Sequence, residues 1–257
     1  MDGWQFINLG TAELRKTNLL QESLWGERKA KRIPNTIIFS ENSPTISLGI
    51  RSETEQLRHI KVPLQELGKL AVPLVKTNRG GSITIHGPGI LGCYIIADVS
   101  KLAFPRPFIK CLEEWIKDLL KKYSLAASSL PDELRLDKKD KSKYEGLWVY
   151  PVRSQTPRAS RDPTKSDQTS NGVSINDSEN PASSPRKIAS IGIRFKSQVS
   201  QFGVNLNVAP EEWLLNLIYP CGIKEYTLTS LKKEGVERKS TEIISHLCET
   251  APKFLTI

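Results

Sequence analysis

Arg79-Gly80-Gly81-Ser82-Ile83-Thr84-Ile85-His86-Gly87-Pro88-Gly89, continuing into Leu91-Gly92-Cys93-Tyr94-Ile95-Ile96-Ala97, is the stretch on which the fold turns. The adjacent Gly80 and Gly81 let the backbone come close to a ligand. Strand alternation then sets Ser82, Thr84 and His86 on one face and Ile83 and Ile85 on the other, a polar wall beside a glycine floor. Gly87-Pro88-Gly89 turns the chain into an apolar run without alternation, the pattern of a strand covered on both faces. Taken alone, the glycine run also fits a tight turn within a sheet.

Working outward toward the N-terminus, Thr36-Ile37-Ile38-Phe39 and Thr45-Ile46-Ser47-Leu48 read as two short strands with Ser43-Pro44 as a turn, a hairpin or sheet edge. Before them, Trp4-Gln5-Phe6-Ile7-Asn8-Leu9 alternates like a half-buried strand. Gly10-Thr11 then offers an N-cap for a helix running to about Lys31. Toward the C-terminus, Cys111, Leu112, Trp115, Leu119 and Leu120 follow Phe108 at the spacing of an amphipathic helix, with Pro105 and Pro107 at its start. Cys111 is in phase with the buried stripe and reads as packing rather than chemistry.

The segment from about Val152 to Pro185 holds almost no large apolar residue, so it cannot bury enough surface to offset the entropy of ordering it. Its Arg153, Arg158, Arg161 and Lys165 are matched by Asp162, Asp167, Asp177 and Glu179, which leaves the positive balance to the rest of the chain. Strand patterns flank it, Gly146 to Tyr150 before and Lys187 to Phe195 after, so it reads as the disordered, dispensable tip of a long hairpin. In the second of these strands the period of two puts Lys187 in phase with Ala189, Ile191, Ile193 and Phe195. A lysine on an apolar face either snorkels to water or sits in a cleft fit to exchange protons. Further on, Trp213, Leu214, Leu217 and Ile218 follow a short helical pattern. Tyr219-Pro220-Cys221-Gly222-Ile223 then places Cys221 on a turn, where a thiol can be exposed beside backbone N–H groups able to face an oxyanion.

A chain of 257 residues can bury a sizeable core, and we read residues 1–257 as a single domain interrupted at about 152–185. No apolar run reaches the roughly 18 residues needed to span a bilayer, and the first ten residues lack a basic segment followed by an apolar one, which points to the cytoplasm and away from a membrane. Cys93, Cys111, Cys221 and Cys248 lie far apart without metal-ligand spacing, so reduced thiols and no metal are expected. The formal charge of +9 suits polyanions or acidic proteins. The one dense basic run, Lys138 to Lys143, has no recognition-helix pattern nearby, which argues against nucleic acid.

Together the Arg79–Gly89 run, the Lys187-Ile188-Ala189-Ser190-Ile191-Gly192 strand and the Pro220-Cys221-Gly222 turn resemble the lipoyl(octanoyl) transferases, in which R-G-G-x-x-T-x-H-G/A-P-G, K-I-x-S-x-G and P-C-G appear in that order. Thr45-Ile46-Ser47-Leu48-Gly49, Asn205-Leu206-Asn207-Val208 and Thr229-Ser230-Leu231 agree as well. The resemblance implies an α/β fold of the biotin and lipoate protein ligase type, a mixed sheet flanked by helices. It implies transfer of an octanoyl group from acyl carrier protein to a lysine of lipoyl domains, including those of 2-oxoacid dehydrogenases and the glycine cleavage H protein, by a monomer without a cofactor. In this reading Cys221 is the nucleophile and Lys187 lowers its pKa and handles protons. Arg79, Gly80, Gly81, Ser82, Ile83, Thr84, Ile85 and His86, with Ser190, Ile191, Gly192, Gly203, Val204 and Asn205, line the acyl and substrate-lysine site.

One departure touches the site. Where the family reads F/S-H-G-x-A-L-N-V, this chain has Gln201-Phe202-Gly203-Val204-Asn205-Leu206-Asn207-Val208, without the histidine and with Asn205 in place of alanine. That alters the binding edge and bears on acyl length or on the acceptor. Two alternatives remain: a lipoate or biotin ligase that activates a free acid with ATP, and a non-catalytic scaffold for carrier or lipoyl proteins. The Cys221 turn favours transfer over ligation, and the pairing of Cys221 with Lys187 argues against a scaffold.

Overall fold

A computed structural model of the chain describes residues 3–102, 105–135, 144–150, 184–220 and 224–256. The strands are β1 (Trp4–Ala12), β2 (Asn35–Asn42), β3 (Thr45–Leu48), β4 (Leu74–Lys76), β5 (Thr84–His86), β6 (Ile90–Ile96), β7 (Ala127–Ser128), β8 (Gly146–Val149), β9 (Arg186–Lys196), β10 (Val199–Asn207) and β11 (Thr227–Leu228). The helices are α1 (Leu14–Lys29), α2 (Glu53–Leu57), α3 (Leu64–Lys69), α4 (Pro105–Lys122), α5 (Glu212–Leu215) and α6 (Ser240–Phe254). A large mixed sheet runs β1-β2-β6-β10-β9-β8-β7, with β11 pairing β9, and a small sheet runs β4-β3-β5. Among the described residues no helix is long and apolar enough to cross a membrane.

One inner strand of the sheet explains its layers. Every residue of β6 is buried, as its unbroken apolar run requires, and alternation sends Leu91, Cys93 and Ile95 to one face and Tyr94 and Ile96 to the other. The first face packs on α4 and α6. Phe108, Leu112, Trp115, Ile116, Leu119 and Leu120 of α4 have no exposed surface, and Trp115 Nε1 donates to Leu247 O of α6 at 3.1 Å. Basic Lys121 and Lys122 close α4, where they face the negative end of the helix dipole. The second face takes α1, whose Leu14, Thr17, Gln21 and Trp25 recur at helical spacing and are its buried residues. It also takes the small sheet, and between these layers lies a cleft.

Three local expectations are corrected. Thr11 does not cap α1: parallel pairing of β1 with β2 carries the strand on to Ala12, and Glu13 occupies the cap position. The strands β2 and β3 do not form a hairpin. The first joins β1 and β6 in the large sheet, while the second pairs β4 and β5, so Ser43-Pro44 passes the chain between sheets. The helical pattern near Trp213 is realised only as the single turn α5. Beyond it Leu217 and Ile218 enter the small-sheet core, with Ile218 bridged to Ile60. The antiparallel pairing of β8 with β9 is the expected hairpin, with Trp148 opposite Lys187 and Val149 opposite Arg186. Of its tip, the Val152–Pro185 insertion, residues 152–183 lie outside the described residues, as does the basic run 138–143.

Candidate functional site

The cleft is floored by β9 and β10 of the large sheet and roofed by the small sheet and the loop before β5. Asn205 on β10 stands directly opposite Ser190 on β9, and Gly203 opposite Gly192, so these residues share the cleft face. Val204, one step out of phase, instead packs in the core beneath the sheet. The loop approaches β9 closely: Gly80 N donates to Ile193 O at 3.1 Å, and a Cβ on Gly80 would stand 2.8 Å from that oxygen. Only glycine permits this contact.

Lys187 reaches the cleft by a route that strict alternation does not predict. In the β8–β9 pairing Leu147 faces Ala189 and Trp148 faces Lys187, so Ile188 is an extra residue. Such a bulge inverts the alternation. Lys187 therefore shares the face of Ser190 rather than that of Ala189, correcting the in-phase expectation. It is 2% exposed, with Nζ 5.2 Å from the centre of the Trp148 ring.

Two adjoining cavities fill the cleft. The near one has Lys187, Glu145 and Pro220 at one end and Arg79, Ser82, Thr84, Ser190 and Asn205 at the other. The far one runs from the same Arg79, Thr84, Ser190 and Asn205 to Tyr94, Phe202 and Leu14. Gly81, Ile83, Ile85 and Ile191 also line the near cavity, and His86, Gly192 and Gly203 the far one. Gly80 and Val204 line neither. Cys221 to Ile223 lie outside the described residues, but Pro220, the residue before Cys221, faces the near cavity.

A buried polar network holds the wall between the cavities. Arg79 Nη2 donates to Ser47 O and to Ser47 Oγ, both at 2.9 Å, and Nε donates to the same hydroxyl at 3.2 Å. Ser47 Oγ lies 2.9 Å from His86 Nε2, and Asn205 Nδ2 lies 3.1 Å from His86 Nδ1 and 3.4 Å from Ile85 O. With the Asn205 amide donating, His86 is neutral and carries its proton on Nε2. Burial, with the Arg79 guanidinium nearby, pushes the His86 pKa down to about 3. Arg79→Ala would leave buried acceptors on Ser47 without their charged donor. It should lower the unfolding free energy by about 2–3 kcal/mol in urea titrations, and an unchanged midpoint would show that water replaces the guanidinium.

Glu145 brings a carboxyl to the Lys187 end. Burial raises its pKa, nearby Glu113 raises it further, and Lys187, Arg135 and Arg106 partly oppose them. Ser82 Oγ is buried with no hydrogen-bond partner and lines the same cavity, so it can offer a hydrogen bond to a ligand. Cys93 and Cys248 border the core on the other face of the sheet, as does Cys111, and burial raises each of the three thiols. Sequence reading left Ser47 and Glu145 out of the site. Ser47 lies in one of the strand motifs it quoted, whereas Glu145 immediately precedes the strand read from Gly146.

Residues 17–251 match the model of the lipoyl protein ligase A/B catalytic domain. The chain is 29% identical to a mitochondrial octanoyltransferase of Arabidopsis thaliana over 93% of this chain and 82% of that one. It is 29% identical to an octanoyltransferase of Desulforamulus reducens over 93% of this chain and 86% of the relative. Among solved structures, the bipartite lipoate protein ligase of Thermoplasma acidophilum superposes with a TM-score of 0.62 at 13% identity, over 99% of this chain and 84% of that one. That likeness shows the fold, a mixed sheet flanked by helices.

Proposed function

The chain belongs to the lipoyl protein ligase A/B catalytic domain family, and on that premise we propose that it is an octanoyltransferase working through a thioester on Cys221. The carrying observation is the near cavity itself: buried Lys187 meets there the residue preceding Cys221 and the Arg79–Thr84 segment. The donor is an octanoyl thioester of acyl carrier protein, and the acceptor is a lysine of a lipoyl domain. The +9 charge suits acidic partners of this kind. The enzyme acts as a cytoplasmic monomer, and residues 1–257 form one catalytic domain.

In the first step the Cys221 thiolate attacks the thioester carbonyl. The C–S bond to the carrier breaks, the carrier sulfur leaves and takes the proton of the Lys187 ammonium, and an acyl-enzyme with a neutral Lys187 amine remains. A free thiol with a pKa of about 8.5 is only a few per cent ionised at neutral pH. In this reading a Lys187 ammonium favours the thiolate, and the buried Ser82 hydroxyl, which has no other partner among the described residues, donates to the carbonyl oxygen as charge develops there. In the second step the acceptor amine attacks the acyl-enzyme carbonyl, loses a proton to neutral Lys187, and expels Cys221. Conversion of thioester to amide is downhill, so the cycle requires no nucleotide. The sequence likewise has no G-x-x-x-x-G-K-[ST] phosphate loop.

Intact-mass measurement after mixing with octanoyl-carrier protein should show one added octanoyl group, removable by hydroxylamine and lost on addition of lipoyl domain. If mass appears only when free octanoate and ATP are supplied, the ligase reading replaces this one. Binding of both proteins with no transfer of mass under either condition leaves the scaffold reading.

A further inference from the structure

The residues common to the two cavities form a ring: Arg79 and Thr84 on the roof side, Ser190 and Asn205 as a cross-strand pair on the floor. Within this ring Arg79 and Asn205 are the buried side chains held by hydrogen bonds to other elements. Asn205 is 8% exposed and is tied to His86 Nδ1 and Ile85 O, while His86 is braced through Ser47 to Arg79. Turning the amide away would strip buried partners from His86, so the ring cannot widen at small cost. Beyond the ring the far cavity is lined by Tyr94, Leu14 and Phe202. Phe202 sits at φ +62, a left-handed conformation that β10 tolerates while Phe202 N donates to buried Gln21 Oε1 at 2.9 Å.

We propose that Asn205 is the stop that sets acyl-chain length: a chain carried at the Lys187 and Pro220 end fills the near cavity and ends against the Asn205 amide, which keeps the far cavity out of use. The inference rests on the acyl-transfer reading above. It assigns that reading a specificity residue, one whose role comes from where the two cavities meet. An amide braced on two sides presents a rigid polar face to an approaching methyl end. A longer chain must either displace that face or fold back, and both raise the free energy of its transition state relative to octanoyl.

Asn205→Ala removes the amide and joins the cavities. The test measures kcat/KM for transfer of hexanoyl, octanoyl, decanoyl and dodecanoyl groups from carrier protein to a lipoyl domain, in the wild-type chain and the variant. Each methylene in a hydrophobic pocket is worth about tenfold or more in discrimination. The dodecanoyl-to-octanoyl ratio should therefore rise by about tenfold or more in the variant. Asn205→Ser, which keeps a hydroxyl near His86, should move the ratio in the same direction by less and serves if the alanine variant fails to fold. A merely structural role would lower transfer of all four chains together and leave the ratio in place. A folded, active variant with an unaltered ratio overturns the assignment while octanoyl transfer by the wild-type chain keeps the functional reading. Absence of transfer of any chain by the wild-type protein overturns both.

Discussion

Cys221→Ala is expected to abolish the acyl-enzyme and to reduce transfer by on the order of a thousandfold or more, because in the proposed mechanism the reaction loses the atom that carries the acyl group. The other three cysteines cannot substitute. Cys93 is fully buried, Cys111 and Cys248 pack against the core on the face away from the cleft, and burial raises each thiol. Lys187→Ala should leave a thiol that acylates slowly, with transfer down by roughly a hundredfold to ten-thousandfold, the range for a positioned proton-transfer group. If Lys187 acts on Cys221 as proposed, the pH profile of Cys221 alkylation should move upward in that variant, since the thiol loses its cation. A double variant little worse than Cys221→Ala would mark the two as one unit. Octanoyl mass appearing on Cys93, Cys111 or Cys248 in Cys221→Ala, with normal turnover, would end this assignment.

Acid should destabilise the fold through His86. Its folded pKa is depressed from 6.5 to about 3, so folded and unfolded states bind the same protons at this site above pH 6.5. Between 6.5 and 3 only the unfolded chain takes up the proton, and stability falls as pH falls. Over the whole window the loss amounts to on the order of 5 kcal/mol, and between pH 7 and pH 4.5 to about 3 kcal/mol. Glu145 acts in the opposite sense. Its raised pKa gives stability that is present below the ordinary carboxylate value and is lost as pH rises through the folded value. Comparing urea midpoints of wild type and His86→Gln at pH 7 and pH 4.5 separates the two, because Glu145 is common to both proteins. The variant starts less stable, having disturbed Ser47 and Asn205, but should lose about 3 kcal/mol less on acidification. Equal losses in the two proteins would mean that His86 takes up its proton without unfolding, and that the Ser47–His86–Asn205 network is not rigid.

These expectations draw on different depths of information. The α4 stripe, the doubly covered β6 run, the strands flanking the insertion and the three ordered motifs were legible from residue order alone. Each is a local periodicity or a short run whose chemistry is carried by neighbours in sequence. The sequence also pointed to Asn205 as a departure, without saying what it touches. Only the tertiary structure decided that β2 and β3 belong to different sheets, since a strand pattern specifies a buried face and not a partner. The bulge at Ile188 was invisible for the same reason: an extra residue exists only relative to the strand opposite it, and it moves Lys187 to the cleft. Val204 turned to the core and Asn205 to His86 because their neighbours across the sheet fixed which face was the cleft. Ser47 entered the site through contacts 32 and 39 residues away, with Arg79 and His86, and side-chain contacts at that separation are set by packing, which no local pattern encodes.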